Sequence, residues 1–136
     1  MAMQLSRQAD YAVRTMVDLA SRPEDERVVM REISERQDVP LPFLAKIVRR
    51  LSEMQLARTY RGSAGGIALA RPAADINLLE IIEALEGPLC LNLCTMQPSR
   101  CPRDAFCPAH PVWLQAQTYL TNLFRNTRLS DLVARK

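Results

Sequence analysis

Apolar side chains recur at helical spacing from the start of the chain. Leu5, Ala9, Ala12, Val13, Met16 and Ala20 fall on one face, so the spacing predicts a helix over about residues 6–20 with Ser6 as its N-cap. Asp10, Arg14 and Asp18 share another face, where Asp10 and Arg14 read as a surface pair worth a few tenths of a kcal/mol. Pro23-Glu24-Asp25-Glu26 reads as a charged surface turn. Met30 and Ile33 mark a second helix ending near Gln37, and Asp38-Val39-Pro40 makes a tight turn. Pro42 suits the first position of a third helix, where a missing N–H costs nothing. Leu44, Ile47, Val48 and Leu51 form that helix's apolar stripe, opposite Lys46, Arg49, Arg50 and Glu53. Two short helices joined by a turn, the second basic on its outer face, make a helix-turn-helix pattern.

Two strand-like runs follow, Ala57–Tyr60 and Ile67–Ala70, joined by Arg61-Gly62-Ser63-Ala64-Gly65-Gly66. Glycines there permit a tight hairpin tip and a close approach of backbone to a phosphate or minor groove. A helix-turn-helix followed by such a hairpin is a winged helix. No Gly-Lys-Ser/Thr follows these glycines, which sets aside a phosphate-binding P-loop. Residues 76–86 carry a capped helix: Asn77 caps, Glu80 completes a capping box, and Ile76 and Ile81 are placed as a staple. Gly87 and Pro88 end it. From Pro111 onward Trp113, Ala116, Leu120, Leu123 and Phe124 keep helical spacing, a long late helix suited to pairing with a second copy of the chain. Leu129-Ser130-Asp131 reads as staple residue and cap for a final short turn. The expected fold is mostly α: a winged helix-turn-helix head (residues 1–75, its first helix also packing at the dimer interface), then residues 76–136 with the capped helix, a cysteine loop and the dimerisation helix.

Length and composition fit one soluble domain of 136 residues. No run of 18 apolar residues exists and the N-terminus lacks a signal-peptide core, so the expected location is cytoplasmic, with no membrane partner. The net charge of +3 matters less than its distribution. Residues 41–71 carry six basic side chains against one acid, whereas residues 1–40 carry six against eight. A local basic stretch is the footprint of phosphate contact. The candidate DNA-binding residues are Pro42, Lys46, Arg49, Arg50, Arg58, Arg61, Gly65 and Gly66. One histidine and no paired-carboxylate or nucleophile motif give catalysis no support.

All four cysteines lie in one stretch, at Cys90, Cys94, Cys101 and Cys107, with the only histidine, His110, close behind. In a cytoplasmic chain such a cluster points to metal or redox chemistry rather than structural disulfides. Thiolates suit iron–sulfur clusters. Structural zinc sites favour a close cysteine pair, which only Cys90 and Cys94 could supply here. Spacing alone leaves a cluster, zinc or free thiols open.

The wing motif Arg61-Gly62-x-x-Gly65-Gly66-x-x-Leu69-Ala70-Arg71, set between the helix-turn-helix and a three-cysteine loop, resembles the iron–sulfur winged-helix regulators of the IscR, NsrR and RirA type. The opening Ala9-Asp10-Tyr11-Ala12-Val13-Arg14 and the closing Leu129-Ser130-Asp131-Leu132-Val133 look like that family's two ends, so the resemblance spans nearly the whole chain. It implies a homodimer joined along the long helix through Trp113, Leu120, Leu123 and Phe124, reading palindromic double-stranded promoter DNA. It implies an iron–sulfur cluster (4Fe–4S or 2Fe–2S) on Cys94, Cys101 and Cys107, zinc being the weaker alternative, and a switch responding to nitric oxide, iron or redox state. Candidates for the fourth ligand are His110 and Asp10; Cys90 has no counterpart in the family pattern. The start of the third helix departs from IscR: Leu41, Pro42, Phe43 and Ala45 stand where IscR has polar residues and a glutamate, so base contacts do not carry over. A cluster-free regulator sensing thiol oxidation or a small effector, and a zinc-stapled interaction module, are the other readings.

Overall fold

The structure is a computed structural model that describes residues 5–23, 26–62, 65–96 and 98–134. Glu24 and Asp25 of the expected charged turn, and Ser63 and Ala64 of the wing tip, lie outside the described residues.

Helix α1 (Arg7–Ala20) begins where Ser6 Oγ accepts the Ala9 N–H at 3.1 Å. Ala9, Ala12 and Met16 of the expected face are buried, Val13 and Ala20 are half-buried, and Leu5 is exposed; Leu19, which the spacing left out, is buried with them. Helix α2 (Met30–Gln37) stops at Asp38, whose left-handed backbone (φ 54°) turns the chain into α3 (Leu41–Glu53). Pro42 is the second residue of α3 rather than the first, because Leu41 already has helical backbone. Gln55 (φ 60°) then turns the chain into β1 (Ala57–Tyr60), which pairs antiparallel with β2 (Gly66–Leu69). The second strand lies one residue earlier than its apolar run because Gly66 pairs with Tyr60. Val28 joins the wing as a third, one-residue strand, exchanging both backbone hydrogen bonds with Ile67 at 2.8 Å.

Helix α4 (Leu78–Glu86) carries the expected capping box: Glu80 N–H donates to Asn77 Oδ1 at 2.9 Å, and Asn77 N–H to Glu80 Oε2 at 3.0 Å. Gly87, at φ +77°, ends it. Helix α5 (His110–Arg125) begins one residue before Pro111, and α6 (Leu129–Ala134) closes the fold. The expected cap of α6 is corrected in detail. Asp131 accepts the Arg128 N–H at 2.9 Å, Leu129 is the first helical residue, and Ser130 lies within the helix. Leu129 is fully buried and its N–H donates to the Ile76 carbonyl, which ties the end of the chain to the start of α4.

One core joins both halves. Ala12 and Met16 of α1, Leu44, Ile47 and Leu51 of α3, Ile76, Ile81 and Leu129 form a single apolar cluster, each large side chain contributing about 1.5–3 kcal/mol by burial. Helix α5 stands apart: none of its residues is buried.

Asp18 departs from its sequence face. It is buried on α1, accepting from Arg36 Nε and a terminal Arg36 nitrogen at 3.0 and 2.9 Å and from Gln37 Nε2 at 2.9 Å. Burial alone pushes its carboxyl up, but the hydrogen bonds from Arg36 and Gln37, with the Arg36 and Arg22 charges, bring it below the ordinary 3.8. Asp10 and Arg14, on the same sequence face, stay exposed and pair at 2.7 Å.

Candidate metal centre and nucleic-acid interface

The cysteine loop is ordered by its own backbone. Cys94 sits in a single 3-10 turn, Leu93–Thr95, closed by hydrogen bonds between the Asn92 backbone and Thr95 Oγ1. Arg100 N–H returns to the Leu93 carbonyl at 2.9 Å, Cys107 N–H reaches the Arg103 carbonyl at 2.8 Å, and His110 N–H reaches the Cys107 carbonyl at 3.1 Å. These turns carry Cys94, Cys101, Cys107, Asp104, His110 and Trp113 around one hollow of about 290 Å³. His110 Nδ1 is buried without a hydrogen-bond partner among the described residues. Burial, and then the neighbouring Cys101, push the Cys94 thiol up, and Cys107 and Asp104 add to the shift. A thiolate formed at Cys94 would meet the neighbouring sulfurs and Asp104 in one space, and a bound cation would relieve that repulsion.

The donor set therefore fits a thiophilic metal group in kind: three cysteines, a histidine and an aspartate line one hollow. As placed, no three His, Cys, Asp or Glu side chains among the described residues stand close enough together to hold a single metal ion. Cys90 lines a different hollow of about 250 Å³, with Leu5, Leu120 and Phe124. Asp10 is absent from the described residues lining the cysteine hollow; its partner Arg14 also donates to the Gln37 carbonyl at 3.1 Å. Asp104 was not singled out from sequence. Its only signal there is a carboxylate three residues from each of Cys101 and Cys107.

Gln117 of α5 holds the entry to the loop. Its side-chain amide donates to the Leu89 carbonyl and to Thr121 Oγ1, and its Oε1 accepts the Leu91 N–H at 2.8 Å. Beyond that anchor α5 presents apolar groups outward: Val112, Trp113, Leu114, Tyr119 and Leu123 are all exposed. Leu120 and Phe124, expected at a dimer interface, are half-buried and partly occupied by packing near Cys90 in their own chain.

On the head, Pro42, Lys46 and Arg49 lie on the exposed face of α3. Arg49 makes only a loose pair with Glu53, at 3.6 Å, and its side chain is 83% exposed. Arg50 is committed elsewhere: its Nε donates to the Ala84 carbonyl of α4 at 2.8 Å and a terminal nitrogen meets Glu53 at 3.2 Å. Arg58 and Arg61 are exposed along and just past β1. The wing glycines have local reasons to be glycine. A Cβ on Gly65 would stand 2.8 Å from the carbonyl oxygens of Tyr60 and Gly62. Gly66 has φ +146°, and a Cβ there would meet the Val28 carbonyl oxygen at 3.1 Å. Gly66 is thus fixed by the third strand, whatever its distance from DNA. Arg27, which the pattern did not suggest, stacks over the Tyr60 ring at 3.7 Å and braces the wing.

Comparison with known proteins agrees with this architecture. The family model Rrf2, described as "Iron-dependent Transcriptional regulator", matches residues 5–135. The HTH-type transcriptional regulator IscR of Cronobacter sakazakii is 31% identical over 131 residues, covering 96% of this chain and 80% of the relative. Among solved structures, T. potens IscR has a TM-score of 0.79 at 27% identity, covering 99% of this chain and 89% of that one. The oxidized form of Staphylococcus aureus CymR has a TM-score of 0.75 at 25% identity, covering 96% of each chain. The relatives are transcriptional regulators and the fold is their winged helix, so this chain is a DNA-binding regulator and not an enzyme. It belongs to the Rrf2 family of iron-dependent transcriptional regulators.

Proposed function

We propose that the chain is a dimeric regulator whose operator affinity is switched by an iron–sulfur cluster held on Cys94, Cys101 and Cys107. One observation carries this reading: Cys94, Cys101, Cys107 and His110 line one hollow, and Cys90 lines another. His110 and Asp104 line the same hollow and His110 is the fourth donor we assign, whereas Asp10, which does not line it, would have to come from a partner subunit or from a docked first helix. When bound, the cluster supplies iron whose ligation nitric oxide, oxygen or iron loss can change.

The chain's own residues supply the coupling. Gln117 fastens the loop entry to α5, so a change in the loop is felt at the helix whose apolar face pairs the two copies. Through α4, that helix reaches the head: Arg50 of α3 is fastened to the Ala84 carbonyl. Arg14 holds both Asp10 and the carbonyl at the end of α2, which gives α1 a second grip on the head. The switch is then a shift between two arrangements of the paired heads on a palindromic site.

The test is operator affinity of the anaerobically purified protein before and after nitric oxide or iron chelation. Trp113 is the only tryptophan and lines the hollow, so its emission follows occupancy in the same sample. Affinity should change by about 5- to 150-fold. Equal affinity in both states, with emission proving that occupancy changed, would contradict the switch. A second reading, control by thiol oxidation, is favoured by the four cysteines being free and three of them half-exposed. It predicts the same change in affinity on mild oxidation of metal-free protein.

A further inference from the structure

The start of α3 lacks the groups that usually read bases. Its N-cap is Pro40, with no side-chain cap, and Leu41, Pro42, Phe43, Leu44 and Ala45 follow. From residue 40 to residue 45 no side chain can donate or accept a hydrogen bond. Leu44 is buried, but the others face outward, with Leu41 40% and Phe43 49% exposed. An exposed apolar tip on a small domain needs an occupant. The surroundings choose it. The first turn of α3 has no acidic residue, Lys46 and Arg49 continue its exposed face, and Arg58 and Arg61 stand exposed along the wing. A cationic frame around an apolar tip matches a polyanion that carries methyl groups. The major groove of duplex DNA offers them only on thymine, whose C5-methyl is the one apolar group on a base edge there.

We infer that the head reads thymine methyls in the major groove, with Phe43, Pro42 and Ala45 as the specificity-determining contacts on α3 and Lys46 and Arg49 as sequence-neutral grips on phosphate. This rests on α3 being the groove-entering helix, part of the DNA-binding reading above. Phe43 supplies most of the apolar area and lies beside Lys46, so a phosphate contact by Lys46 would seat the ring against the groove. Base selection then comes from excluded water and shape at the methyl rather than from hydrogen-bond matching.

The experiment has two stages. Selection from randomised duplexes with the full chain should return half-sites with fixed A·T pairs, oriented by strand and mirrored about a dyad. Each thymine is then replaced by deoxyuridine, which removes the methyl and leaves every hydrogen-bonding group in place. At the positions read, affinity should fall about fourfold per methyl, while thymines in the flanks should change it by less than about twofold. Phe43→Ala removes an exposed side chain and leaves the core intact. It should bind more weakly and lose the uridine sensitivity at its own position. A selected site whose affinity ignores uridine at every thymine would overturn the inference and leave DNA binding standing. Uridine sensitivity that persists undiminished in Phe43→Ala would overturn the assignment to α3. Failure to select any sequence would overturn the DNA-binding reading, and this inference with it.

Discussion

Arg36 of α2 lays two nitrogens against the two carboxylate oxygens of Asp18 on α1, at 3.0 and 2.9 Å, and so closes a buried charge between the first helix and the head. Gln37 adds a third hydrogen bond at 2.9 Å, so the carboxylate's lone pairs are largely satisfied. Asp18→Asn keeps the volume and loses the charge. It should cost about 2 kcal/mol of stability, less than a fully enclosed pair because the Arg36 side chain is a third exposed. Denaturant unfolding checks this.

The same pair sets an acid limb. The folded Asp18 carboxyl lies below 3.8, so its contribution is fully present above the unfolded value of about 3.9 and is lost as pH falls through the folded value. Wild type should lose stability below about pH 4, and Asp18→Asn should lose less over that window. Identical acid limbs for the two proteins would remove Asp18 from the account.

Basic residues on the head divide by their partners. Arg50→Ala should cost about 1 kcal/mol of stability through the lost hydrogen bond to Ala84, with little change in the salt dependence of DNA binding. Lys46→Ala or Arg49→Ala should leave stability alone and reduce the salt slope by about one. Arg61→Ala should weaken binding by about 1–3 kcal/mol if it meets a base edge. Titrations at several salt concentrations separate these outcomes.

Assembly follows from α5. No residue of that helix is buried, and five of its large apolar side chains are exposed. Leu123→Glu or Tyr119→Glu should convert a dimer to a monomer with unchanged helix content. Because Tyr119 and Leu123 lie outside the lining of the cysteine hollow, the dimer should survive removal of metal. Sedimentation of wild type as a monomer at micromolar concentration would contradict the paired arrangement.

Most of the fold was legible because its signals are local. The Ser6 cap, the Asn77–Glu80 box and the stripe of α3 each lie within a few residues, and the structure has them where spacing puts them; the α1 stripe holds at Ala9, Ala12 and Met16 but loses Leu5 to solvent. What escaped was long-range. Asp18 reads as one more charge on the Asp10 and Arg14 face until α2 crosses it with Arg36. Gly66 reads as a turn residue until Val28 arrives as a third strand. Gln117 carries no local signal in the sequence, yet it holds the loop at Leu89 and Leu91. The grouping of Cys94, Cys101 and Cys107 was suggested by family pattern. Its geometric counterpart, a hollow that leaves Cys90 out, comes from folding the loop back on α5.

The cysteine hollow is tested most directly by iron and acid-labile sulfide counts, with the absorption spectrum, on anaerobically purified protein expressed with ample iron. Wild type and Cys90→Ala should contain both elements and show a visible charge-transfer band. Cys94→Ala, Cys101→Ala and Cys107→Ala should lack them. His110→Ala should keep a cluster with an altered spectrum. Wild type carrying stoichiometric zinc without iron, or two stable disulfides, would contradict the cluster and leave a thiol-based or zinc-stabilised winged-helix regulator.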